Sequence, residues 1–140
     1  MEIITKVHHF RTVGHTAIIN LTDEIQTYLM DTGLSEGQVT VFGIGSTTGI
    51  TTIEYEPGLV DHDISEMFEK ISPYAKDYVH NRTWGDDNGA AHVRSFLTGT
   101  HLVCPIVGSR LVLGTWQQIV FVDFDTRPRE RKVVIQFMGK

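Results

Sequence analysis

The chain has 140 residues, enough for one domain that buries about 70% of the surface its unfolded form exposes. Its 41% hydrophobic and 21% charged content is that of a globular protein and excludes the disordered class. A formal net charge of −5 argues against general nucleic-acid binding, which wants a basic surface.

Residues 2–10 and 15–20 read as two extended segments joined by a turn at Val13-Gly14, because β-branched residues and polar alternation favour strands, and together they predict a hairpin. Asn20 or Thr22 caps a helix through Ile25, Tyr28 and Leu29, and Gly33 suits its left-handed end. Residues 39–44 form a compact strand. The second strand, 50–56, ends at Pro57-Gly58 and sets Glu54 and Glu56 on one face, about 7 Å apart. Gly43, Gly45 and Gly49 between and beside these strands do not make a nucleotide loop, since the spacing is wrong and a strand follows. A helix over 59–71 turns Ile64, Met67, Phe68 and Ile71 to the core.

Residues 72–85 match no regular element, the kind of long connection that often serves function. A helix capped by Asp87 or Asn88 runs to about Leu97, and 101–107, 110–114, 117–124 and 133–138 read as successive antiparallel strands. The order predicts one α+β domain over 1–140, with largely antiparallel, sandwich-like sheets and two to three helices. Cys104 lies in an apolar run, cannot form an intramolecular disulfide and packs as a small hydrophobe, which suits a cytoplasmic location. Neither an export signal nor an apolar run of about 20 residues is present, so no membrane association is expected.

The densest chemistry is the run Asp86-Asp87-Asn88-Gly89-Ala90-Ala91-His92. It brings two carboxylates, an amide and an imidazole to a helix start, and its small residues leave the backbone open to a ligand. A capped helix with a surface histidine is the plain alternative, and the spacing matches no metal or nucleophile motif. Asp61, His62 and Asp63 complement a helix dipole. His8 and His9 face opposite ways on their strand, and His101 fits a core or rim position. Residues 126–132 join the last two strands and hold Arg127, Arg129, Arg131 and Lys132, a set suited to phosphate or to a solvated loop. Trp116 and Gln117 line a pocket or pack at an interface.

The residues assembled so far resemble the YjbQ-like family, widely described as secondary thiamine-phosphate synthases. The resemblance spans nearly the whole chain. It is most specific at Asp86-Asp87-Asn88-Gly89-Ala90-Ala91-His92-Val93, Leu97-Thr98-Gly99-Thr100, Val103-Cys104-Pro105-Ile106, Gly108-Ser109-Arg110-Leu111 and Leu113-Gly114-Thr115-Trp116-Gln117-Gln118. Ile53-Glu54 after Gly45-Ser46-Thr47-Thr48-Gly49 is similar to the family's H-T-S-A…N-E segment, and 60–63 to its next helix start. Gly45 stands where many members carry histidine, with His101 or His80 as substitutes for it.

The resemblance implies an α+β homotrimer with pockets near subunit boundaries. It also implies transfer of a hydroxymethylpyrimidine from its diphosphate to a thiazole phosphate, assisted by a divalent metal, Mg²⁺ or alternatively Zn²⁺. The site expected on this basis has His92, Glu54 and Asp87 as catalytic and metal-holding groups. Asn88, Trp116, Gln117, Arg127 and Arg129 would contact a small phosphorylated metabolite. The same residues also suit a metal-dependent hydrolase of a small metabolite, or a non-catalytic trimer that only binds such a ligand.

Overall fold

Along the last strand, β8 (Arg129–Gly139), every second side chain from Arg131 through Val133, Ile135 and Phe137 is buried, while Glu130, Lys132 and Gln136 are exposed. This two-residue period is that of a strand with one face on a core. The computed structural model describes residues 1–140 and places β8 between β1 (Glu2–Thr12) and β3 (Glu36–Gly43). β5 (His101–Val107) and the short β6 (Arg110–Leu111) complete a five-stranded sheet in the order β1-β8-β3-β5-β6. A second sheet has the order β2-β7-β4, from β2 (Ala17–Asn20), β7 (Gln117–Asp123) and β4 (Thr48–Glu54), and every pairing in both sheets is antiparallel.

β7 explains why the layers stack as they do. Its run from Ile119 to Val122 is apolar on both faces, the pattern of a strand covered on each side. Ile119 and Phe121 enter the main core with Val39, Val41, Ile135 and Phe137 of the large sheet and with Ile25 and Leu29 of α1 (Thr22–Thr32). Val120 and Val122 turn the other way, onto Phe68 of α2 (Ile64–Ile71), Ala91 of α4 (Gly89–Thr98) and Phe124. The small sheet is therefore a middle layer, with the large sheet and α1 on one side and α2 and α4 on the other. The architecture is α+β, as expected, with four α-helices, counting α3 (Val79–Trp84).

Several local expectations are corrected. Strands β1 and β2 form no hairpin: β1 pairs with β8 and β2 with β7, in different sheets. The link between them takes left-handed φ at Gly14, His15 and Thr16 (75°, 54° and 67°) and donates the His15 and Thr16 N–H groups to the carbonyls of Asp125 and Asp123. β4 stops at Glu54. Glu56 instead bends round to accept the Gly58 and Leu59 N–H groups, so the two glutamates do not share a strand face.

The helix expected over 59–71 begins with a π-helical turn, Leu59–Asp63. Its wider winding shifts the apolar stripe, so Phe68 is buried while Met67 and Ile71 are exposed. Part of the unassigned stretch 72–85 folds as α3. Strand β8 starts at Arg129, so Arg129 and Arg131 belong to a strand rather than to the connecting loop, and Arg131 faces inward. Gly33 takes the predicted left-handed cap (φ 74°).

Candidate active site

Where β7 ends, its apolar alternation gives way to carboxylates at Asp123 and Asp125, both buried. Neither is left uncompensated. Arg131 Nε and Nη2 donate to the two Asp123 oxygens, each at 2.7 Å, and the Thr12 hydroxyl donates to the same carboxylate at 2.7 Å. Arg131 Nη2 also reaches Thr47 Oγ1 at 2.9 Å, and that hydroxyl donates to Asp125 Oδ2 at 3.0 Å. Arg129 Nε pairs with Asp125 Oδ2 at 2.6 Å. Burial pushes the Asp125 carboxyl up. The Thr126 amide, Thr47, Arg129 and Asn88 outweigh that push and hold it below the ordinary carboxylate range.

A line of hydrogen bonds leads from Asp125 to the surface. The Asn88 side-chain amide donates to Asp125 Oδ1 at 3.4 Å, and Asn88 Oδ1 meets His80 Nε2 at 3.1 Å. An ionised carboxylate only accepts. The Asn88 NH₂ must therefore face Asp125 and its oxygen must face His80, which makes His80 Nε2 the protonated nitrogen and leaves Nδ1 as the acceptor. The rings of His80 and His92 lie 4.4 Å apart, tilted by 51°. Burial lowers the His92 pKa below its ordinary value, and His80 adds to the effect. Asp125, Asp86 and the Ser46 backbone offset it only in part.

Local folding fixes this geometry. Asn81 Oδ1 accepts the Gly89 N–H at 2.8 Å, tying α3 to the start of α4. A Cβ at Gly89 would stand 2.5 Å from Tyr78 Cβ, so only glycine lets the two helices approach this closely. Ser95 Oγ donates to the Thr48 carbonyl at 2.6 Å and docks α4 on β4. Further back, the fully buried Arg94 donates to Ser72 O and Thr16 Oγ1, pairs with Glu69, and lies 3.9 Å over the Tyr74 ring. His92 thus stands on a rigid helix, at the edge of a depression of about 400 Å³ lined also by Gly45, Ser46, Ser95, Phe96 and Thr100.

The residues singled out in the sequence fall into two groups. Asn88 and His92 belong to the line just described, and Arg129 joins it through Asp125 rather than standing free for phosphate. Asp87 is exposed, accepts the Thr126 hydroxyl at 2.7 Å and pairs with Arg127 at 3.4 Å; these contacts, Thr126 first, lower its pKa. Glu54 and Trp116 lie elsewhere, at a shallow depression of about 480 Å³ shared with Asn20 and Gln118. Gln117 is engaged with the Gly114 N–H and Thr52 Oγ1. On β4, Thr48 pairs with Asp123 and Glu54 with Gln117. Six residues at about 3.3 Å each put some 20 Å between those ends.

Asp87, His92 and Glu54 therefore do not converge on one ion within a chain, and the expected metal set is corrected on that geometry. The three groups spaced to share a cation are His62, Asp63 and Glu66, all exposed, with Glu66 already held by Lys70 at 2.7 Å. His101, one of the two substitutes considered for Gly45, is exposed on β5, whereas His80 stands against His92. Sequence reasoning passed over Asp123 and Asp125, and it placed Arg131 in a basic loop and gave Thr47 no role. The signal was available: two acids at alternate positions directly after a strand apolar on both faces, and two arginines in phase with Val133, Ile135 and Phe137.

Comparison with known proteins gives a consistent result. Residues 6–140 match the family described as UPF0047 protein YjbQ-like. A UPF0047 protein of Archaeoglobus fulgidus is 37% identical over 126 residues, covering 90% of this chain and 94% of that protein. Another, from Methanothermobacter thermautotrophicus, is 33% identical over 140 residues, covering 100% and 95%. Among solved structures, a YbjQ-like protein of unknown function from Sulfolobus solfataricus matches with a TM-score of 0.88 at 26% identity, covering 99% of this chain and 100% of that one. A hypothetical protein from Aeropyrum pernix matches with a TM-score of 0.86 at 30% identity, covering 96% and 99%.

Proposed function

The chain belongs to the YjbQ-like UPF0047 family, and from that membership and the geometry around His92 we propose that it is a transferase of the thiamine-phosphate synthase type. In that reaction the thiazole nitrogen bonds to the pyrimidine methylene carbon as the carbon–oxygen bond to pyrophosphate breaks. The observation that carries the reading is the His80–His92 pair on the Asn88–Asp125 line. Burial holds His92 toward its neutral form near pH 7, so its ring meets a substrate as a hydrogen-bonding imidazole rather than as a fixed positive charge. His80, with its tautomer set by Asn88, presents an acceptor nitrogen. The Asp125 charge supports His92 when it is protonated.

A second reading, hydrolysis of a small phosphorylated metabolite, is favoured by one specific observation. Arg127, Arg129 and Arg131 each pair with a carboxylate, Asp87, Asp125 and Asp123, so none brings an uncompensated positive charge to a departing pyrophosphate. Proton transfer to and from water needs only the histidine pair.

The assembly we propose is a homotrimer in the cytoplasm. The outer face of the large sheet supports association, because it exposes Ile3, Val7, Phe42 and Val103. The buried free thiol of Cys104 supports a reducing compartment. No helix is long and apolar enough to cross a membrane.

The test is to supply the pyrimidine diphosphate and the thiazole phosphate in ¹⁸O-labelled water, with and without Mg²⁺. Thiamine phosphate with unlabelled pyrophosphate establishes transfer. Labelled product without any need for thiazole phosphate overturns transfer in favour of hydrolysis, and no product in either case overturns both.

A further inference from the structure

The guanidinium of Arg131 has one nitrogen to spare. Nε and Nη2 are committed to Asp123 and Thr47, but Nη1 has no acceptor in the chain, although the side chain is only 8% exposed. No fully buried side-chain nitrogen or oxygen in the molecule lacks a partner, so solvent reaches this one. It lies 3.3 Å from where a Cβ of residue 45 would stand. Gly45 lines the depression that holds His92, Ser46 and Thr100, so the missing Cβ leaves that donor, with the Thr48 side chain next to it, close behind the wall of the depression.

The loop itself adds donors. The N–H groups of Gly43 and Ile44 are used, by the carbonyls of Thr100 and Lys132, but those of Gly45, Ser46 and Thr47 have no acceptor in the chain. Ser46 adds a hydroxyl without a partner, at an exposed position. The two carboxylates buried beside the loop are offset, Asp123 by Arg131 and Asp125 by Arg129. Consecutive backbone amides beside a guanidinium are donors matched to a tetrahedral oxyanion.

We propose that the Gly45–Ser46–Thr47 loop and Arg131 Nη1 form a phosphoryl-binding site beside His92. The site holds a phosphate or diphosphate group of the substrate within reach of the histidine pair. It answers the want of a free arginine between residues 127 and 131, and it rests on the proposed reaction only for the identity of the molecule that carries the phosphate.

The experiment is a ¹H–¹⁵N NMR titration of the full-length protein with inorganic phosphate and with pyrophosphate, in parallel with Ser46→Asp. That variant puts a negative charge at an exposed position. Ser46→Ala, which removes the free hydroxyl at an exposed position, serves as a second variant. The expected result is saturable shifts of the 45–47 amides, with affinity lowered at least about tenfold by Ser46→Asp, a change of about 1.4 kcal/mol. Ser46→Ala weakens binding to a smaller extent. Shifts confined to other amides, or equal affinity in wild type and Ser46→Asp, overturn the site. Binding at 45–47 without thiamine-phosphate formation upholds the site and overturns the reaction, and turnover without shifts at 45–47 does the reverse.

Discussion

The two ends of β4 and β7 carry similar side chains and use them in opposite ways. At the Thr48–Asp123 end, acids, an arginine, hydroxyls and an amide are buried, and each buried side-chain group has a partner. At the Glu54–Gln117 end, about 20 Å along the strands, Glu54 has no ion-pair or hydrogen-bond partner in the chain and Trp116 is 72% exposed. The difference lies in what covers each end. Helix α4 packs on the first through Ser95 and Thr48, and α3 through His80 and Asn88, so its polar groups are buried and the pKa values of Asp125 and His92 move. Solvent covers the second.

That contrast is broken most severely by Arg131→Met. Losing the guanidinium leaves Asp123 charged and buried with only hydroxyl and amide donors, and such a deletion costs about 3–5 kcal/mol. Urea unfolding should show that loss. A loss below about 1 kcal/mol would mean that water enters this end as freely as the other. His92→Ala comes next. Removal of a positioned acid–base group lowers the rate by about 10²–10⁴-fold, while the urea midpoint stays near wild type because His92 lies at the rim.

The pH dependence sharpens the comparison further. The His92 pKa is lowered in the folded chain, so between that value and the unfolded value of about 6.5 the unfolded chain binds more protons. Stability is therefore full above about pH 6.5, falls as the pH drops through that value, and levels off below the folded pKa. A melting-temperature series should show this step, and His92→Gln should remove it. Asp125, lowered from the ordinary carboxylate value, adds a second loss below about pH 4. The smallest effect belongs to Arg127→Ala, whose exposed pairing with Asp87 is worth under about 1 kcal/mol.

Much of the large architecture was legible in the sequence, because strand alternation and the Gly33 cap are local signals. The pairing partners were not. Residues 2–20 look like a hairpin by pattern, yet the left-handed stretch at Gly14, His15 and Thr16 and the carbonyls of Asp123 and Asp125 send β1 and β2 into separate sheets. Asn88 and His92 were found because their chemistry is concentrated within seven residues. His80, Asp123, Asp125 and Arg131 come from three elements brought together by folding, and no spacing in the chain announces that meeting. Glu54 lies at the other end of β4 from the Thr48–Asp123 pair, a placement that depends on where β4 starts and stops.

In the proposed reaction, chemistry belongs to the covered end. It is tested by measuring thiamine-phosphate formation for wild type, His92→Ala and Glu54→Gln in one assay. The expected result is a loss of about 10²-fold or more for His92→Ala and a change within about threefold for Glu54→Gln, an exposed group without partners. Equal rates for all three, or a greater loss for Glu54→Gln than for His92→Ala, would contradict it.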